Sequence, residues 1–184
     1  MLTARTLAEA QTYLSLMAAA DDAPDVTQPG PPETSLAEGE EAWTVHSELG
    51  DVEVPYASEA ACRTVGIWFG LGVSQLVDAG QWVLVAGTYA RRALNADLAY
   101  QGQPGQDRGE VELNWQFAAE AIGEAIKFLP DGANRLPDEA FWSDQGQQLR
   151  RDQPERITRA QLADDQGYYT GTLEDFRALY GESS

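Results

Sequence analysis

At 184 residues, with 43% hydrophobic side chains, the chain has enough apolar surface for a real core and reads as a single domain. Thirty acids against twelve bases set a formal net charge of −18. That balance argues against direct binding of nucleic acid or anionic membranes, because phosphate recognition depends on Lys and Arg. One histidine (His46) and one cysteine (Cys62) are too few for a zinc site and rule out an internal disulfide.

No stretch approaches the ~20 apolar residues of a membrane span. The opening Met1-Leu2-Thr3-Ala4-Arg5 leads into polar, periodic sequence and not into the apolar core of a signal peptide. With a lone cysteine, a cytoplasmic protein is expected.

Residues 3–17 read as an amphipathic helix with Leu7, Ala10, Leu14 and Met17 at helical spacing and Tyr13 alongside. Thr3 or Thr6 can cap it, and Thr6 with Glu9 fits the capping-box pattern. Residues 18–42 hold four of the nine prolines (Pro24, Pro29, Pro31, Pro32) and seven acids without a base, which predicts an extended linker or arm.

Residues 42–69 read as strands. Trp43, Val45 and Leu49 alternate with Thr44, His46 and Glu48. Gly50-Asp51 is the expected hairpin turn. Val52, Val54 and Tyr56 alternate with Glu53 and Pro55, and Ala61–Phe69 is the expected third strand.

The remainder reads as helical. One helix runs from Asp78 to about Leu94 on a stripe of Trp82, Val85, Ala86, Tyr89 and Ala90. Residues 95–109 form a Gly-rich loop. The next helix covers about 110–129, with Leu113, Phe117, Ala121, Ile122, Ala125, Ile126 and Leu129 inward, and stops at Pro130 and Gly132. A further helix spans about Pro137–Arg151 and carries Phe141, Trp142 and Leu149. A last helical region covers 158–180, where Thr158 with Gln161 and Thr172 with Asp175 are both start signals, and Gly167 and Gly171 suggest a break between them.

Few residue groups here suit chemistry. His46 falls on the polar face of a strand, the ordinary place for a surface histidine. Asp21, Asp22 and Asp25 cluster without the spacing or turn glycine of a calcium loop. Gly66, Gly70 and Gly72 match neither a dinucleotide fingerprint nor a phosphate loop. Glu120, Glu124 and Lys127 read as ordinary helix-surface pairing. No catalytic residue, cofactor site or metal site is assigned.

Several stretches carry a resemblance. They are Thr6–Leu16, Ser74–Trp82, Glu124–Pro130, Leu136–Ser143 with Gly146, and Pro154–Arg156. In their apolar and turn residues these stretches resemble a group of actinobacterial immunity-type, antitoxin-like proteins. Similar proteins carry paired cysteines where this chain keeps only Cys62, so a zinc-stabilised sheet is not expected here.

The resemblance implies a non-catalytic protein that binds and neutralises a cognate toxin. The expected fold is α+β, a small antiparallel sheet with an N-terminal helix and a C-terminal helical layer. Residues 1–59 hold twelve acids and one base, so the amino-terminal third is the most anionic. The candidate partner-binding residues are Glu38, Glu40, Glu41, Glu48, Asp51 and Glu53. They would meet a toxin with a basic surface, where complementary charge speeds encounter. A small carboxylate-based enzyme and an accessory or scaffold subunit of a larger assembly are the alternatives.

Overall fold

A computed structural model of the chain describes residues 2–21 and 32–181. Asp22, Asp25 and the prolines Pro24, Pro29 and Pro31 of the expected arm lie outside them. The fold is α+β, and the backbone divides into two compact units, Met1–Asp78 and Ala79–Ser184.

The first unit runs β1 (Leu2–Thr3), α1 (Leu7–Asp21), β2 (Thr34–Glu38), β3 (Ala42–Ser47), β4 (Gly50–Pro55) and α2 (Tyr56–Thr64). The strands order β1-β4-β3-β2. β2-β3-β4 is an antiparallel meander, but β1 pairs parallel to β4, so the sheet is mixed and not purely antiparallel. The parallel pair arises because α1 lies between β1 and the meander and lets the chain return in the same direction. Val45, Val52 and Val54 on one face form a core with Ala4, Ala10 and Leu14, joined at its margin by Leu7, Tyr13, Trp43 and Leu76. Met17, expected on the apolar stripe, is 37% exposed.

The start of α1 is held by polar bonds. The Thr6 hydroxyl accepts from the Glu9 amide at 3.1 Å and donates to the Phe69 carbonyl at 3.0 Å. Glu9 is almost wholly buried, and its carboxylate accepts from the Arg5 amide (2.7 Å), Nε (3.0 Å) and Nη2 (2.6 Å). Arg5 Nη1 donates onward to the Gly72 carbonyl at 2.6 Å. Gly70 is required for this clasp: its φ is +149°, and a Cβ there would stand 2.5 Å from Arg5 Nε.

Three expectations for this unit change. The Ala61–Phe69 strand does not form. Ala57, Ala60 and Ala61 with Glu59 in the first turn favour α2, and Gly66 and Gly70 then adopt positive φ. Residues 34–38, expected in the linker, pair as β2. The β3–β4 turn is Glu48-Leu49 and not Gly50-Asp51: Gly50 already pairs with Ser47 as the first residue of β4, where its φ of +127° suits a glycine.

The second unit runs α3 (Ala79–Ala99), α4 (Arg108–Ile126), a 3₁₀ turn over Asp138–Ala140, α5 (Asp144–Asp152), a second over Pro154–Ile157, and α6 (Arg159–Tyr180). Its core includes Ala93, Val111, Trp115, Leu173 and Phe176, with Tyr100, Tyr169 and Tyr180 against them.

Helix starts follow their caps. Asp107 accepts from the Glu110 amide, so α4 begins inside the expected loop. Ser143 caps α5 through the Gly146 amide and separates it from the residues around Phe141. Thr158 caps α6 through the Gln161 amide, as its sequence suggests. α6 then passes unbroken through Gly167 and Gly171, where a glycine costs only about 1 kcal/mol each. On α4 the expected inward residues Ala121, Ile122 and Ala125 are buried, but the first turns differ. Trp115 is buried and Leu113 is 39% exposed.

Two carboxylates are buried on α4. Glu124 pairs with Lys127 and is not a surface residue. Glu112 bridges Arg108 (2.8 Å) and Arg177 (2.9 Å), joining α4 to α6.

Removing Arg5 tests the first unit. Arg5→Ala strands the buried Glu9 charge and is expected to lower unfolding stability by about 3–5 kcal/mol. Denaturant melts followed in the amides of residues 4–14 measure it. A loss below about 1 kcal/mol would mean the pair behaves as a surface ion pair.

Alkaline pH tests the second unit. Burial pushes Tyr89 above its ordinary value of 10.0, against the pull of Arg92. Burial and then Asp165 push Tyr169 the same way, against Arg156. The folded state therefore favours both neutral phenols. Their contribution is fully present below pH ~10 and is lost as pH rises through the raised values. Thermal melts from about pH 9 to 11.5 should show the wild type losing more stability than a Tyr89→Phe, Tyr169→Phe double variant. Parallel losses would show that neither phenol contributes.

Candidate partner-binding surface

β2 is an edge strand, and all five of its residues are exposed. The alternation of the ladder fixes which backbone groups it uses. The Gly39 amide donates to the Ala42 carbonyl at 2.9 Å, the Tyr56 amide to Glu41 (2.9 Å), and the Ala4 amide to Glu53 (2.8 Å). In an antiparallel ladder hydrogen-bonded pairs alternate with non-bonded ones. Ser35 and Ala37 therefore face β3, while the N–H and C=O of Thr34, Leu36 and Glu38 point to the outer edge.

The six sequence-predicted acids do not form one patch. Glu38, Glu40 and Glu41 sit together at the β2–β3 turn, all exposed. Glu48 occupies the β3–β4 turn at the opposite end, about 17 Å away along β3 at 3.4 Å per residue. Asp51 and Glu53 lie between, on β4, facing away from the core beside Thr44 and His46. His46 Nδ1 is 2.8 Å from Asp51 Oδ1, a cross-strand pair with both side chains well exposed. No residue of this polar face is buried, and Glu53 is half-covered.

The Glu38–Glu41 turn is fastened from beneath. The Tyr56 hydroxyl donates to the Gly39 carbonyl at 2.9 Å, and its ring meets Trp43 edge-on at 4.4 Å between centroids. Gly39 must be small, since a Cβ there would lie 2.9 Å from the Ala42 carbonyl oxygen. Two carboxylates are thus presented on a turn whose backbone is tied at three points. Between Pro32 and Cys62 there are eight acids and no Lys or Arg.

A second surface was not foreseen. The segment after α2 exposes Val65 (58%), Trp68 (45%), Leu71 (47%) and Val73 (46%), the first two of which were expected on the third strand of the sheet. Arg5 and Thr6 hold this segment through the carbonyls of Phe69 and Gly72. It therefore sits toward β1, on the side of the sheet away from β2. The positive-φ glycines, Gly66, Gly70 and Gly72, were the available signal against a strand.

Among the described residues, no group of three or more His, Cys, Asp and Glu is placed to hold a metal ion, and no helix is long and apolar enough to cross a membrane. The second unit has a cleft of about 260 Å³ lined by Leu84, Gln145, Gln148, Leu149, Asp152 and Gln153. Its lining offers one carboxylate and no base to work against it.

No protein-family model, curated protein or solved structure matches the chain.

Tyr56→Phe removes one anchor of the acidic turn and leaves its charge intact. Loss of one hydrogen bond, about 1 kcal/mol, should speed exchange of the Gly39 amide roughly fivefold, read by hydrogen-exchange NMR. Unchanged exchange would show that the turn is held without the phenol.

Proposed function

We propose that the protein is a non-catalytic binding protein of the immunity type, acting in the cytoplasm on a cognate toxin with a basic surface. The observation that carries this reading is the tethered Glu38–Glu41 turn on an exposed edge strand, within a stretch of the chain free of Lys and Arg. Long-range attraction would gather a cationic partner, and a turn already held in place loses little freedom when bound. Acids at this turn would cover the partner's basic active site in place of its anionic substrate.

An accessory-subunit reading has its own support in the exposed Val65, Trp68, Leu71 and Val73. Exposed apolar clusters of this kind mark contact sites. The two readings differ in their response to salt.

Co-expression with the product of the adjacent gene, followed by size-exclusion chromatography and growth rescue, is the direct test. A stable complex that restores growth is the expected result. Its association rate should fall at least tenfold from about 0.02 to 0.3 M salt as charges are screened. The Glu40→Lys, Glu41→Lys double variant should slow association further at low salt. A complex with salt-independent association, weakened instead by Trp68→Ala, would favour the accessory reading. No complex and no rescue would remove the immunity role.

A further inference from the structure

We infer that the outer edge of β2 is a strand-addition site, and that its occupant is an extended basic segment of the partner protein. This inference rests on the binding-protein reading above and names how the partner is held.

Among the described residues β2 ends the sheet, and its outward N–H and C=O groups belong to Thr34, Leu36 and Glu38. Folded proteins commonly blunt such an edge with charged side chains, proline, a bulge or a covering element. Here the five residues carry Glu38 as their one charge and no proline, pair with β3 in unbroken register, and are exposed throughout, so the flanking acids oppose like-charged strands and leave the edge open to a cationic one. Leu36, at the centre, is 53% exposed, although its ladder partner Val45 is buried. An added strand would gain main-chain bonds at Thr34, Leu36 and Glu38 and an apolar contact at Leu36.

Charge selects the occupant. Glu33, Glu38, Glu40 and Glu41 flank the edge, and the nearest arginines in the chain sequence are Arg5 and Arg63. A second copy would set these acids against their equivalents. A strand alternating basic and β-branched residues would set cations against them.

The geometry also supplies a selective variant. The Leu36 N–H points outward, so Leu36→Pro removes a donor from the free edge and leaves the bonds of Ser35 and Ala37 to β3 in place. It changes no charge. Thr34→Pro does the same at the first residue of the strand and serves if the central substitution impairs folding.

The probe is a blocked heptapeptide of alternating lysine and valine, titrated into the ¹⁵N-labelled full chain. Expected are slowed amide exchange at Thr34, Leu36 and Glu38 and an affinity that drops at least tenfold in Leu36→Pro, or at least threefold in Thr34→Pro. Three results would overturn the inference. One is shifts confined to Glu40 and Glu41 with exchange at the edge unchanged, which is charge association alone. Another is edge amides protected in the free chain as its concentration rises, which is self-pairing. The third is equal affinity in both proline variants.

The toxin complex separates this inference from the reading beneath it. A complex that forms and rescues growth, but dissociates no faster with Leu36→Pro, keeps the immunity role and discards the edge. Edge protection by the peptide, without any toxin complex, keeps the edge and discards the immunity role.

Discussion

The Arg5–Glu9 clasp governs the first unit. A buried carboxylate needs a partner, and Arg5 is the only Lys or Arg among the first 62 residues. That guanidinium is committed inward, to Glu9 and to the carbonyl of Gly72. The same pair closes the first turn of α1 and holds the segment that leads toward α3. Because the one early cation is committed to the interior, the meander is left with acids alone on its turns. The internal stability of this unit and its external charge are two consequences of one pairing.

The capping and packing signals of the chain were largely legible. Thr6 with Glu9, and Thr158 with Gln161, mark helix starts that form as their side chains dictate. Alternation placed Trp43 and Val45 toward the core and His46 toward solvent. Failures came where local pattern underdetermines geometry. Val65–Phe69 is apolar enough for a strand, but a short apolar run does not state its period, and the flanking glycines decided the outcome. β2 was hidden because Thr34–Glu38 has one large apolar residue and follows prolines; its strand character comes from pairing with β3.

The acidic site was legible as composition and not as shape. Sequence proximity grouped Glu38 with Glu53, but a hairpin separates neighbours in sequence as readily as it joins them. Glu48 and Glu40 stand at opposite ends of β3, and Asp51 is engaged with His46. What no sequence pattern indicated is that the Tyr56 phenol, beyond β4, reaches back to secure Gly39. Likewise, Glu112 and Glu124 look like solvated helix acids, but the fold buries them beside Arg108, Arg177 and Lys127.

The exposed edge has a cost that its acids offset. A regular, fully exposed strand with a leucine at its centre is a template for copies of itself, and stacking of such edges is how soluble proteins begin to form fibres. Glu33 and Glu38 bracket that leucine and act as gatekeepers, since each stacked copy would bring like charges into line. Under the proposed strand addition, the acids that would select a basic partner are the same ones that keep copies of the edge apart. Neutralising them would then remove selectivity and protection against its own kind together.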